Sequence, residues 1–171
     1  MKHETSGNTK YSITETEVTF TNVLNKEYVP VHLKEDLKKA SALIIPNEGF
    51  KDVKKPLFPE GTLDFYKFLK ELEYDDTIID ICADDDDFSE LELHDDVINI
   101  PLLLVNGLAF PAIVGFIILY FENVLFKKKP NPKVTLDIVV QRGDTSKKVH
   151  FEGSAKDFKD IIDEIQKGGQ L

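Results

Sequence analysis

The sequence is poor in residues that mark several common classes of protein. Its 171 residues include one cysteine and no tryptophan, and Arg142 is the only arginine. Because a lone cysteine has no partner within the chain, an intrachain disulfide is excluded, and we expect a reducing, cytoplasmic compartment. Arginine is the residue that most often grips phosphates and guanine edges, so its scarcity argues against a nucleic-acid partner.

The sequence also lacks the motifs that carry common chemistry. It contains no G-x-S-x-G elbow, no Walker loop and no G-x-G-x-x-G fingerprint. Its four histidines are scattered, without the H-x-H or H-E-x-x-H spacing of a zinc site. Cys82 lies in an apolar run, which favours a buried, inert thiol over a nucleophile. We therefore predict no catalytic residue, no cofactor and no metal, and expect a protein that is not an enzyme.

Negative charge is concentrated in the first part of the chain. Residues 1–97 carry 11 Lys+Arg and 23 Asp+Glu, whereas residues 98–171 carry 10 and 8. An acidic surface of this kind repels nucleic-acid backbones and anionic lipid headgroups. The densest run, Asp84–Asp87, lacks the alternating ligands and the glycine of a calcium loop. A solvated loop is the favoured interpretation, and a metal-dependent hydrolase built on this run ranks last.

The longest apolar run, "IPLLLVNGLAFPAIVGFIILYF" from Ile100 to Phe121, contains no charged side chain. As one helix it would reach about 33 Å, enough to cross the hydrocarbon core of a bilayer. Lysines 127–129 would then mark the cytoplasmic side and place the acidic first half outside, although that half begins with no apolar export signal. We favour a helix packed within the protein and keep a membrane span, with inner-membrane association, as the alternative.

Periodicity predicts the elements of the first half. Residues 62–72 carry apolar side chains at helical spacing after a capping threonine. Residues 43–46 and 77–83 are apolar and rich in β-branched side chains, which indicates buried strands. The segments 18–23 and 28–33 alternate in polarity and are predicted to be paired strands.

The last forty residues predict a β-β-α unit. Two alternating strands flank the turn "RGDTS", in which the tripeptide Arg142–Asp144 is interpreted as part of a hairpin. Ser154 then opens a capping box with Asp157, and an apolar stripe follows up to Gly168-Gly169. The predicted fold class is α+β, with small mixed or antiparallel sheets, a long apolar helix and this C-terminal unit.

The chain divides along these patterns into four predicted segments. They are a flexible tail (1–12), an acidic α/β unit (13–97), an apolar helix (98–127) and the β-β-α unit (133–171).

The order of elements resembles a known family. The chain contains, in order, a "LDFYKFLKEL" helix, a strand, an apolar helix closed by basic residues, a strand–"RGD"–strand hairpin and an acid-capped helix. This order is similar to that of the effector-associated constant component proteins of bacterial conflict systems. The resemblance covers about Gly61 to Lys167 and rests on element order. The apolar helix here is longer and uncharged, and the N-terminal part is additional. The resemblance implies a non-enzymatic component of a defence or signalling module and carries over no functional residues.

The favoured function is an adaptor or accessory component that acts through protein contacts. The alternative is a membrane-associated effector in which residues 100–126 insert in lipid. Because two small flanking units cannot cover an apolar helix completely, we expect the exposed remainder to pair with a second copy in a homo-oligomer. The residues predicted to make this contact are Phe110, Ile113, Phe116, Ile117, Tyr120 and Phe121.

Overall fold

A computed structural model describes residues 2–5, 9–48, 56–74, 76–92 and 96–171 of the chain. The strands are β1 (Lys2–Thr5), β2 (Thr9–Thr16), β3 (Ala42–Ile45), β4 (Leu57–Pro59), β5 (Ile79–Ile81), β6 (Ser89–Leu91), β7 (Val97–Asn99), β8 (Leu102–Asn106), β9 (Lys133–Arg142) and β10 (Thr145–Ser154). The α-helices are α1 (Phe20–Leu24), α2 (Lys34–Leu37), α3 (Thr62–Leu72), α4 (Phe110–Tyr120), α5 (Phe126–Lys128) and α6 (Ala155–Lys167). A 3₁₀ turn (Val31–Leu33) precedes α2, and a π-helical turn (Phe121–Leu125) joins α4 to α5.

Most of the strands form one mixed sheet of eight. Its order is β1-β2-β10-β9-β8-β3-β5, with β7 also pairing with β9. The pairs β8–β9 and β3–β5 are parallel, and each is connected through a helix, as parallel neighbours require. Strands β9 and β10 form a tight hairpin whose turn holds Gly143 at a φ of +62°. Strands β4 and β6 form a separate parallel pair.

The predicted α+β fold class is confirmed, including the long apolar helix and the C-terminal β-β-α unit. Helix α6 begins where the capping serine predicts, since the Ser154 side chain accepts a hydrogen bond from the Lys156 amide. The second residue of the predicted capping box, Asp157, has a different partner. The Asp157 carboxylate accepts a hydrogen bond from Thr9 Oγ1 on β2, at 2.8 Å, and so ties the helix to the sheet.

One face of the sheet is closed by helices α3, α4 and α6. Aromatic rings connect these layers: Phe158 on α6 stands edge-on to Phe121 of the π turn and to Phe151 of β10, with ring centroids 5.4 and 5.3 Å apart. Phe65 on α3 meets Tyr120 on α4 at 5.0 Å. We call this the closed face; it contains the larger hydrophobic core.

The opposite face is covered only in part. Helices α1 and α2 place Val23, Leu24 and Leu37 over strands β3 and β8 and over Val139 of β9, which forms a smaller core that also includes Cys82. None of the buried residues of this core comes from β2 or β10. We call this side of the sheet the open face.

The prediction of a single helix over residues 98–127 is wrong in its first part. Residues 97–99 and 102–106 form β7 and β8, and the helical run begins at Phe110. Leu103 and Val105 point into the larger core, whereas Leu104 points into the smaller one. A strand buried on both faces is apolar at every position, so its sequence does not differ from that of a buried helix.

The predicted flexible tail and the separation of two units need correction. Residues 2–5 and 9–12, assigned to the tail, lie in strands β1 and β2. Strand β2 pairs along β10, from Thr16 opposite Ser146 to Lys10 opposite Glu152, and buries Tyr11 against the larger core. The segments 13–97 and 133–171 thus contribute strands to one sheet.

The predicted strands over residues 18–23 and 28–33 are also wrong. Residues 20–24 form α1, capped by Thr19, whose side chain accepts a hydrogen bond from the Asn22 amide. Residues 31–33 form the 3₁₀ turn. Only the apolar residues of α1 that face the sheet are buried, and a helix of five residues is too short to show helical periodicity in the sequence.

Candidate functional site

The six residues predicted to contact a second copy lie in the core of the chain itself. Phe110, Ile113, Ile117 and Phe121 are at most 1% exposed, and Tyr120 is 5% exposed. Phe116 is also buried and faces the Tyr74 ring. Their burial beneath α3, α6 and the sheet corrects the predicted contact, because side chains that fill a protein's own core are unavailable to a partner.

The outward side of the same helix keeps an apolar surface. Leu108, in the turn before α4, is 93% exposed, and Leu119 is 39% exposed. Between them the surface residues of α4 are uncharged and mostly small. We call this surface the α4 stripe; it consists of Leu108, Pro111, Ala112, Gly115 and Leu119.

The run Phe110–Lys128 is the single helix in the described part of the chain that is long and apolar enough to cross a membrane. Of its most apolar window, 44% is buried inside the protein. Core helices of soluble proteins have the same length and composition, so this helix fits either environment.

The open face carries polar side chains where α1 and α2 do not reach. Its centre is a close side-chain contact between neighbouring strands: His150 Nδ1 lies 2.6 Å from Asp137 Oδ1, and both side chains are 34% exposed. Glu152 lies on the other side of the imidazole, 3.7 Å from Nε2. Ser12 of β2 is the register partner of His150. Asp137 and His150 are 13 residues apart in the sequence, and the hairpin register brings them together.

Two clefts meet at the border between the open face and α1. The larger, of about 850 Å³, has a floor of Val18, Ile45 and Leu102 and is rimmed by polar residues that include Asp137. The smaller, of about 690 Å³, lies over the turn between β9 and β10. Thr16, Glu17 and Asn22 line both clefts, which therefore form one groove along the segment that joins β2 to α1.

The wall of the groove is fixed by hydrogen bonds from the joining segment. The amide of Phe20 donates to Gln141 Oε1 at 2.8 Å, and Asn22 Nδ2 donates to the carbonyl of Glu17 at 2.7 Å. The amide of Val18 donates to Thr16 Oγ1 at 3.3 Å. These bonds hold the segment on the sheet and leave the Glu17 side chain exposed at the edge of the groove.

One buried hydroxyl in the groove lacks a partner. Ser146 lines the smaller cleft and is 4% exposed, and its Oγ makes no hydrogen bond within the described residues. A buried hydroxyl without a partner costs about 1–3 kcal/mol, so such groups are rare in folded proteins.

The acidic run Asp84–Asp87 forms a turn after β5. The amides of Asp87 and Phe88 donate to the carbonyl of Asp84, whose carboxylate lies 3.1 Å from His32 Nε2. The next three carboxylates are exposed. Within the described residues, no group of three or more His, Cys, Asp or Glu side chains is arranged to hold a metal ion.

Cys82 is fully buried in the smaller core. Burial raises the pKa of its thiol to about 12, and the nearby Asp80 carboxylate adds to the rise. The thiolate is the reactive form of cysteine, so this residue is inert at neutral pH.

The outer edge of strand β5 is closed by side chains of α3. Lys70 Nζ donates to the carbonyl of Ile79 at 2.8 Å, and the Ile79 amide donates to Glu73 Oε2 at 3.1 Å. Lys70 Nζ and Glu73 Oε2 are also 2.9 Å apart, so the two side chains form a salt bridge with each other. This edge therefore offers no free backbone groups at Ile79 for a further strand.

No protein-family model, curated protein or solved structure matches the chain.

Proposed function

We propose that the protein is a non-enzymatic adaptor, an accessory component of a bacterial defence or signalling module, that acts through protein contacts and self-association. The resemblance in element order supports the module. The observation that carries the self-association is the α4 stripe: the inner side of α4 fills the core, while the preceding turn and the outward side of the helix present Leu108 and Leu119 to solvent.

The composition of the stripe suits contact with a second copy. The run Ile100–Phe121 has no charged side chain, so two stripes meet without opposing like charges. Ala112 and Gly115 leave room for a close approach of two backbones. A contact between identical surfaces closes with two-fold symmetry, so we expect a dimer.

Light scattering tests this contact. The double variant L108E/L119E places two carboxylates on each stripe, where an interface would have to bury them against each other. The wild-type chain should have the mass of a dimer, and the variant that of a monomer with unchanged circular dichroism. The control is V31E, because Val31 is 81% exposed and belongs to the 3₁₀ turn whose Leu33 packs against the smaller core. A monomeric wild type, or a variant that keeps the dimer mass, refutes self-association through the stripe.

A membrane-associated effector is the second candidate, favoured by the length and apolar composition of Phe110–Lys128. Insertion of this helix would require its core residues to leave α3, α6 and the sheet. Fractionation of the expressed protein separates the two candidates. The adaptor is recovered without detergent, whereas the membrane effector pellets with membranes and resists carbonate extraction.

A further inference from the structure

The groove between the open face and α1 has a consistent electrostatic character. Its two clefts are lined by five carboxylates and two lysines, a formal excess of three negative charges. The acidic residues are Glu15, Glu17, Glu48, Asp137 and Asp144.

Neither lysine pairs with the exposed carboxylates of Glu17 and Asp144. Lys26 pairs with Glu48, with 3.6 Å between Nζ and Oε1, and Lys147 donates to the backbone carbonyl of Gln170 at 3.1 Å. Within the described residues, no salt bridge involves Glu17 or Asp144. These two carboxylates are therefore free to receive a cation from outside the chain.

The groove also offers contacts that are not electrostatic. Val18 and Leu102 are partly buried and pack on the smaller core, and they leave an apolar floor under the acidic rim. Ser146, whose buried hydroxyl has no partner within the described residues, is one of the residues that line the smaller cleft. A cleft with an apolar floor and a few convergent polar groups is the usual form of a binding site.

We propose that this groove binds an extended, basic segment of a partner protein. Ammonium or guanidinium groups of the segment pair with Glu17 and Asp144, and an apolar side chain occupies the floor. Charge complementarity selects this occupant, because the same carboxylates repel nucleic-acid phosphates and anionic lipid headgroups. The inference rests on the proposed adaptor function and names the chemistry of its partner.

The proposal is tested by titrating the full-length protein into fluorescently labelled peptides and measuring anisotropy. The probe is a twelve-residue peptide of repeated Lys-Leu-Lys-Ser, and its counterpart has glutamate in place of lysine. We expect saturable binding of the lysine peptide, binding of the glutamate peptide at least about tenfold weaker, and loss of affinity as salt is added.

Variants separate the groove from the overall negative charge of the protein. The double reversal E17K/D144K should weaken binding of the lysine peptide by at least about tenfold. The matched control D160K/E164K changes the net charge equally, but on the exposed side of α6, and should change binding by less than about twofold. The milder variant E17Q/D144N keeps the shape of both side chains and should lie between wild type and E17K/D144K, which guards against misfolding of the reversal.

Equal weakening by both reversals would mean that only net charge is sensed, and it would overturn the proposal. Equal affinity for the two peptides, or stronger binding to single-stranded DNA or to anionic vesicles, would overturn it too. The stripe variant L108E/L119E should bind the lysine peptide like wild type, because the α4 stripe lies on the other side of the sheet. Peptide binding in the groove and self-association through the α4 stripe are therefore tested independently.

Discussion

The two faces of the sheet are formed by the same strands but are covered by helices to different extents. The closed face meets three helices and is sealed by aromatic contacts such as Phe121–Phe158, so nearly every inward side chain is buried. The open face meets two short helices that cover one half, and its other half carries the His150–Asp137 pair and the acidic groove. The stability of this chain therefore comes mainly from one face, which leaves the other free to carry charge.

The largest expected effect comes from opening the closed face. F158A removes a ring that lies 5.4 Å from Phe121 and 5.3 Å from Phe151, and the cavity left behind should lower the free energy of unfolding by about 3–5 kcal/mol. The control T14A changes an exposed residue of β2 on the open face and should cost less than about 0.5 kcal/mol. Urea unfolding of both variants measures the contrast, and similar midpoints would remove the distinction between the faces.

A steric change at Gly153 should have the next largest effect, because it separates β2 from β10. A Cβ at this position would collide with Thr9 Oγ1 and lie 2.7 Å from the Thr9 Cα, and the φ of +153° disfavours any other residue. G153A should therefore cost about 1–3 kcal/mol in thermal or urea unfolding. If G153A were as stable as the wild type, β2 and β10 would not be in contact at Thr9 and Gly153.

Alkaline pH should weaken the smaller core through Cys82. Burial raises the pKa of this thiol from its ordinary value of 9.0 to about 12, so between these two values the thiol ionises in the unfolded chain only. The unfolded state then binds fewer protons than the folded state, and stability falls as pH rises through this window. At pH 10 the loss from this thiol is on the order of 1 kcal/mol relative to pH 8.

The buried Tyr120 adds to this alkaline loss, since burial raises its pKa to about 12 as well. Urea unfolding at pH 8, 9 and 10 measures the slope, and C82A should reduce the slope while leaving the tyrosine contribution. A stability that does not change over this range would contradict the burial of the thiol.

The smallest expected change is at the helix cap of α6. S154A removes the acceptor for the Lys156 amide and should lower stability by about 1 kcal/mol, whereas S154D should restore most of it. Neither variant alters the open face near the groove, so peptide binding should be unaffected. A loss of binding in S154A would show that the two regions are coupled.

Local sequence patterns were sufficient to predict the elements that are buried on one side only. Periodicity, together with the residues around Ser154 and Gly143, predicts helix α3, helix α6 and the β9–β10 hairpin. The predicted bounds of these elements are close to the observed ones. Strand β8 could not be separated from the following helix, because both sides of the strand are buried and the polarity pattern that distinguishes a strand is missing.

The sites on the open face required the three-dimensional pairing of strands. His150 and Asp137 meet through the register of the hairpin, and the groove forms where the β2–α1 segment crosses β9 and β10. No motif at a fixed spacing encodes either feature. The six predicted contact residues show the converse limit: the sequence marks α4 as apolar, but only the packing of α3 and α6 decides which of its sides is buried.

The inner side of α4 packs in the hydrophobic core of the chain, and the proposed adaptor function requires that it stay there when a bilayer is present. Amide hydrogen exchange of the full-length chain, followed by mass spectrometry with and without lipid vesicles, tests it. We expect the amides of residues 114–121 to be among the slowest to exchange in water, and vesicles to leave their rates unchanged. Fast exchange in water that becomes slow only when vesicles are added would contradict the placement and favour the membrane-associated effector.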